Sequence, residues 1–262
     1  MPELPEVEHA TAIARRIAVG RTITSVRVLH PSQRRSLPAR AAKSLIGDRI
    51  LEVQRRGKSQ RFRLASGREL HVHFRMTGDW LEPGTSELPR TVRAVFGFDD
   101  GSRLVLDDPR ALSVVSLCAS PAADDGLGPD ALDPGLTATA FAAALATRRI
   151  PIKVALLDQG VVAGIGNIYA SEALWRARLD PRTPSNRIDP SALRTLLRAI
   201  RTTLTAALKR QERYYNSNAT AEEYSRFAVY DREGEPCRRC RSRIKRITQA
   251  ARSTYYCPKC QH

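Results

Sequence analysis

The 262-residue sequence contains no apolar run near the ~20 residues that a membrane-spanning helix requires, and no signal-peptide core follows Met1. A soluble, intracellular protein is therefore expected. Cysteine is scarce: five residues, unevenly spaced, are too few for a secreted scaffold held by disulfides. No internal repeat is present. Carboxylates are the under-represented charge, 27 Asp+Glu against 43 Lys+Arg, for a net charge of +16. Such an imbalance points to a polyanionic partner; the plainer alternative is a basic, solvated surface with no partner. Arginine dominates the excess, and its planar fork suits bidentate contacts to phosphate.

What is there suggests two domains and a small appendage, since the chain exceeds the usual single-domain length and its 42% of apolar residues can fill ordinary cores. Val7, Ala10, Ile13, Ala14 and Ile17 recur at helix-face spacing behind the N-terminus. Residues 22–118 then read as β structure. Val26–Leu29, Ile50–Val53, Val95–Phe98 and Leu104–Leu106 are short apolar segments between turn signals, with Asp100-Gly101 as a hairpin turn. Along Leu70–Met76 the residues alternate. Leu70, Val72, Phe74 and Met76 are expected on a core face, and His71, His73 and Arg75 on a polar one. The pattern predicts a β-sandwich. A shift to Ala, Asp, Gly and Pro over Ala119–Pro134 marks a linker. Helical patterns follow at Ala138–Thr147, Ile152–Gln159, Ile168–Ala177 and Pro190–Arg210; the last carries a stripe of Leu193, Leu196, Leu197, Ile200, Leu204 and Leu208. Tyr214–Glu223 reads as a polar loop.

Four stretches carry chemistry. Pro2-Glu3-Leu4-Pro5-Glu6-Val7-Glu8 is either a plain helix start, with prolines and carboxylates where a first turn favours them, or something sharper. Were Met1 removed, Pro2 would offer a secondary amine with a pKa of roughly 8. Such an amine attacks a sugar or carbonyl carbon to give a Schiff base, with neighbouring carboxylates moving protons. Cys237-x2-Cys240 and Cys257-x2-Cys260 are two knuckles 16 residues apart, within the about 15–20 expected of a zinc site. Four thiolates leave no open position, so one structural zinc is expected rather than two disulfides. Arg238, Arg239, Arg241, Arg243, Lys245, Arg246 and Arg252 make this finger basic, suited to a phosphate backbone. Cys118 is left over, a core thiol. In Gln159–Tyr169 the Gly164-Ile165-Gly166 turn opens a helix whose free N–H groups could bind phosphate. No βαβ unit surrounds it, so a helix-turn-helix on DNA fits better than a nicotinamide site. Arg55-Arg56-Gly57-Lys58 alone would be a solvated basic turn.

Together these stretches resemble the formamidopyrimidine-DNA glycosylase/endonuclease VIII family. The resemblance is carried by PELPEVE at Pro2–Glu8, RRGK at Arg55–Lys58, HFRMTG at His73–Gly78, DPR at Asp108–Arg110, LLDQGVVAGIGNIYASE at Leu156–Glu172, VYDREGEPC at Val229–Cys237 and the terminal ARSTYYCPKCQ. It implies an α+β multidomain fold: an N-terminal β-sandwich with a catalytic N-terminal helix (1–120), a linker (121–134), a helix-two-turn-helix domain (135–228) and a C-terminal β-hairpin zinc finger (229–262), with DNA bound in the cleft. By the same resemblance Pro2 is the nucleophile, Glu3 the general acid and Glu6 an aid at the sugar. Lys58, His73, Asn167 and Arg252 hold phosphates around the lesion. Met76 and Arg110 match a wedge that fills the gap left by a flipped base, with Leu112 where Phe is usual. Arg75 in place of Gly, and an Asn216–Phe227 stretch unlike the loop that closes over 8-oxoguanine, are the other departures.

The expected activity is that of a bifunctional DNA glycosylase and AP lyase of base-excision repair. It would remove oxidised or ring-opened purines from damaged double-stranded DNA through an N-terminal proline Schiff base and β,δ-elimination. It is expected to work as a monomer in the bacterial cytosol or nucleoid, with no membrane. An oxidised-pyrimidine or AP-site specialist of the same family, or a zinc-finger DNA-binding protein without catalysis, are the alternatives.

Overall fold

The computed structural model describes residues 1–81, 88–119, 126–216 and 227–262. By packing, the chain forms two units: Met1–Pro2 with Glu6–Asp125, and Glu3–Pro5 with Gly126–His262.

In the first unit, helix α1 (Leu4–Ala18) buries Val7, Ala10, Ile13, Ala14 and Ile17, the stripe its spacing predicts. Strand β1 (Ile23–Val28) follows, then two six-residue helices, α2 (Pro31–Ser36) and α3 (Ala39–Ser44). Neither is visible as periodicity, because each is under two turns. α2 is set instead by Pro31 in its first turn and by His30 Nδ1 accepting from Ser32 N–H at 3.2 Å. Strands β2 (Ile50–Arg56), β3 (Ser59–Leu64), β4 (Glu69–His73), β5 (Asp79–Leu81), β6 (Val92–Phe98), β7 (Arg103–Asp107) and β8 (Val114–Cys118) complete it. They form two antiparallel four-stranded sheets, ordered β1-β6-β7-β5 and β2-β3-β4-β8. Asp100-Gly101 does turn β6 into β7, with Gly101 at φ +82°.

The sandwich core centres on Trp80. Phe62, Phe74 and Phe96 meet its ring edge-on at 6.1, 5.8 and 6.4 Å, and its Nε1–H donates to buried Gln60 Oε1 at 2.7 Å. The alternation of Leu70–Met76 does not run to its end. β4 stops at His73, Arg75 takes φ +59°, and Met76 lies half-exposed in the turn beyond instead of on the core face with Leu70, Val72 and Phe74.

In the second unit, α4 (Ala138–Ala146), α5 (Ile152–Leu157), α6 (Asn167–Ala177) and α7 (Pro190–Asn216) pack around Phe141, Leu145, Leu156, Tyr169 and Leu174. The α7 stripe supplies Leu193, Leu196, Leu197, Ile200 and Leu204, while Leu208 is only partly covered. Residues 126–134, within the compositional linker, join this unit: Ala131 is buried and its N–H donates to Ala163 O at 3.0 Å. The first three residues of the expected polar loop continue α7, and its remainder lies outside the described residues, as does 217–226 of the stretch compared with the lesion loop. A two-stranded hairpin, β9 (Lys245–Gln249) and β10 (Arg252–Tyr256), ends the chain. No described helix is long and apolar enough to cross a membrane.

Candidate active site

The Gly164-Ile165-Gly166 turn proves to be a seat for Glu3 and Leu4. Leu4 is fully buried in the helical core, and its N–H donates to Gly164 O at 3.0 Å. A Cβ on Gly164, which sits at φ +99°, would fall 2.6 Å from Leu4 Cδ1, and one on Gly166 would fall 2.4 Å from the Glu3 carboxyl carbon. The glycines are there because the N-terminal segment lies against them. The α6 N-terminus, expected to offer its N–H groups to phosphate, already holds an anion of the chain itself. Glu3, with no exposed surface, accepts from Gly166 N–H (2.8 Å) and Tyr169 N–H (3.3 Å) through Oε2, and from Ile168 N–H (2.9 Å) through Oε1. The positive end of the helix dipole favours such a carboxylate. Gly166→Ala is therefore expected to displace Glu3 and lower the melting temperature while the chain still folds; an unchanged melting temperature would refute this.

Around Glu3 stand three further polar side chains of the second unit. Asn167, first residue of α6, donates from Nδ2 to Ser253 O at 2.9 Å, which sets it beside Arg252 at the start of β10. Lys153 on α5 is fully buried, and its Nζ has no hydrogen-bond partner among the described residues. Burial, and then the nearby Arg252 cation, bring its pKa down to about 8 against the opposing pull of Glu3. No motif reading singles out Lys153; the signal was a lone lysine inside the apolar run Ile152–Leu157. Lys153→Met removes a buried, unpaired charge and is expected to raise the melting temperature. A lowered melting temperature would contradict the burial argument.

The other expected residues belong to the first unit and gather at one end of one sheet. Gly57-Lys58 is the two-residue turn between β2 and β3, Ser59 pairs with His73 at the end of β4, and His73 pairs with Val114 at the start of β8. Met76 lies just past β4, and Arg110 and Leu112 just before β8, Leu112 being 42% exposed. Lys58, His73, Met76, Arg110 and Leu112 thus share an edge by topology. His73 Nδ1 accepts the Arg75 N–H at 2.9 Å, which leaves Nε2–H as the donor of a neutral ring. Burial, then the Arg75 and Lys58 cations, push its pKa from 6.5 to about 4. Between these values the unfolded chain holds the proton and the folded chain does not, so stability falls as pH drops through that window. Ring titration followed by NMR is expected to show no protonation of His73 near pH 6; a midpoint there would overturn this.

The remaining N-terminal residues divide between structure and chemistry. Glu8 bridges Arg15 (2.9 Å) and Arg55 (2.7 Å), so one carboxylate of the PELPEVE stretch and one arginine of RRGK fasten α1 to the β2–β3 hairpin. Glu6 is half-buried in the first turn of α1. Pro2 is half-buried, and with Met1 attached its nitrogen is an amide.

Cys237, Cys240, Cys257 and Cys260 hold their sulfurs within 4.8 Å of one another, and none forms a disulfide. Tetrahedral Zn–S bonds place sulfurs about 3.8 Å apart; the 3.4 Å of Cys240–Cys257 and 4.0 Å of Cys237–Cys260 bracket that value. The four cysteines hold one structural zinc. Trp175 at the end of α6 packs on this cluster, its Nε1–H toward Cys237 Sγ at 3.4 Å and Arg239 over its ring at 4.2 Å. Glu172, one turn earlier, accepts the Ala228, Val229 and Tyr230 N–H groups and so anchors the chain where it enters the finger. Cys118 is half-buried beside His71 Nδ1 at 3.7 Å.

A sandwich, a helical unit that seats the buried Glu3, and a hairpin closed by four cysteines are, as comparison with known proteins shows, the parts of a class of DNA glycosylases with lyase activity. The same comparison specifies it further. Residues 1–115 match the formamidopyrimidine-DNA glycosylase N-terminal domain, 127–218 the corresponding H2TH domain, and 234–262 a zinc finger found in FPG and IleRS. The formamidopyrimidine-DNA glycosylase of Chloroflexus aurantiacus is 43% identical over 277 residues, covering 100% of this chain and 98% of that one. Among solved structures, a mutant Lactococcus lactis FPG with Fapy-dG-containing DNA is 30% identical with a TM-score of 0.86, and MutM with carbocyclic 8-oxo-G-containing DNA is 29% identical with a TM-score of 0.87; each match covers both chains fully. The chain belongs to the formamidopyrimidine-DNA glycosylase family.

Proposed function

We propose that this chain, once Met1 is removed, excises oxidised and ring-opened purines from duplex DNA and then cuts the strand as an AP lyase. The Pro2 amine attacks C1′ of the extruded nucleotide and the C1′–N bond to the base breaks, the base leaving with a proton. The C1′–O4′ bond then breaks, O4′ taking a proton, which leaves an iminium between Pro2 and C1′; this acidifies the 2′ hydrogens, so that β- and then δ-elimination expel the two flanking phosphates. Glu3 handles protons at the reacting centre and Glu6 assists at the sugar. Lys58, His73, Asn167 and Arg252 hold phosphates, and Met76, Arg110 and Leu112 fill the vacated stack. The protein works as a monomer in the bacterial cytosol. The observation that carries the reading is Glu3, a buried carboxylate adjoining Pro2 in sequence and fixed by three backbone donors; mere DNA binding has no use for it.

Exposed, aliphatic Leu112 favours a second reading, a preference for oxidised pyrimidines, since it stacks less well than an aromatic ring. Excision measured on duplexes bearing 8-oxoguanine, a formamidopyrimidine or an oxidised pyrimidine decides. Faster release of either purine lesion, with phosphate at both ends of the gap, is the expected result; faster release of the pyrimidine would replace it.

A further inference from the structure

We propose that Asp108 is a positioning residue that joins two loops into one wedge, an inference that rests on the roles assigned above to Met76, Arg110 and Leu112. The loops leave β4 and enter β8, neighbouring antiparallel strands. Each contains a non-glycine residue in the left-handed region, Arg75 at φ +59° and Ala111 at φ +53°. Backbone of that kind persists only where its surroundings impose it.

Asp108 holds the residues on either side of Ala111 and reaches Thr77, two residues beyond Arg75. The side chain has no exposed surface. Its Oδ1 accepts from Thr77 Oγ1 at 2.5 Å and from Arg110 N–H at 3.2 Å, and its Oδ2 accepts from Leu112 and Ser113 N–H, each at 2.7 Å. One oxygen thus bridges the Met76 turn and the Arg110 backbone, while the other shapes the loop through Leu112. Thr77 Oγ1 also accepts from Arg110 N–H at 3.3 Å, closing the knot. No cation pairs with Asp108 among the described residues. Burial pushes the carboxyl up, but the Thr77, Ser113 and Leu112 donors outweigh it and hold it below the ordinary range. The site is fastened behind as well: Arg93 Nε donates to Asp108 O at 2.7 Å, and buried Gln33 donates to Ser113 O at 2.9 Å. Four donors on one carboxylate fix the spacing of three side chains from two loops, so their ordering is complete before DNA arrives. A carboxylate is needed because a neutral amide offers one acceptor oxygen where two are used.

The test uses Thr77→Val, which cuts the bridge and spares the Leu112 and Ser113 bonds, with Thr77→Ser as the conservative control and Asp108→Asn as the stronger lesion. Stopped-flow fluorescence of 2-aminopurine beside 8-oxoguanine reads unstacking, and lyase activity on a single-stranded AP-site oligonucleotide reads chemistry that needs no wedge. Thr77→Val and Asp108→Asn are expected to slow unstacking and duplex excision ~10- to 100-fold, with single-strand cleavage unchanged and Thr77→Ser normal. Equal losses on both substrates, or normal unstacking by Thr77→Val while Met76→Ala and Arg110→Ala are slow, would overturn the role of Asp108 alone. Normal unstacking by Met76→Ala and Arg110→Ala would remove the wedge reading itself.

Discussion

Glu3→Gln is expected to release no base from a lesion duplex and to melt below the unsubstituted chain. The Glu3 carboxylate is buried and accepts three backbone N–H bonds at the start of α6. Bonds to a charged acceptor contribute roughly 1.5–3 kcal/mol each, more than neutral ones. The glutamine amide keeps one oxygen and turns an NH2 group toward N–H donors that then lack a partner. A loss of about 3 kcal/mol is expected, that of one to two charged bonds. The chemical effect separates by substrate. A preformed AP site has no base to expel, and the water lost as its aldehyde condenses with the amine can take its proton from solvent, so the variant should still nick AP-site DNA. Excision kinetics on the two duplexes, with calorimetry, check both parts; unimpaired base release would show that Glu3 is only a cap.

The second large effect comes from removing zinc. Metal binding by four thiolates drives the folding of a finger by on the order of 10 kcal/mol, and the core around Val229, Ile244 and Tyr255 is too small to replace it. Chelation, or Cys257→Ala, is expected to unfold the hairpin, with it Arg252 and the position of Asn167, and to lower DNA affinity while the sandwich keeps its own melting transition. The two tryptophans make this readable. Trp175 packs on the cysteines and Trp80 lies in the sandwich core, so in a Trp80→Phe background emission reports the finger alone. Unchanged emission and DNA affinity after confirmed loss of zinc would contradict the arrangement.

How much of this was legible in the sequence depends on how local the cause is. The α1 stripe, the Asp100-Gly101 hairpin and the cysteine knuckles are settled by neighbours within a few turns, and the structure has them where spacing puts them. α2 and α3 are too short for a period to register. Met76 departs from its strand because Arg75 leaves the β region, in a turn where the Arg75 N–H meets His73 Nδ1 and Thr77 meets Asp108 across 31 residues of chain. The glycine turn was legible as a helix start but not as a seat for Glu3 and Leu4, which come from 160 residues away in sequence. Lys153 looks like an interruption of an apolar run until Glu3 and Arg252 are folded against it. Motifs found Lys58, His73, Asn167 and Arg252 as residues; only the fold shows which of them gather at the β2–β3–β4–β8 sheet edge and which beside Glu3.

The central claim is that the Pro2 nitrogen is the nucleophile, and borohydride reduction tests it most directly. Met1-processed protein is mixed with duplexes bearing 8-oxoguanine, an oxidised pyrimidine or a plain AP site, and reduced during turnover. A covalent protein–DNA adduct is expected on the 8-oxoguanine and AP-site duplexes, mapping by peptide mass to Pro2 and absent from protein that retains Met1. Tight binding with no adduct on any duplex, or an equal adduct with Met1 in place, would contradict it.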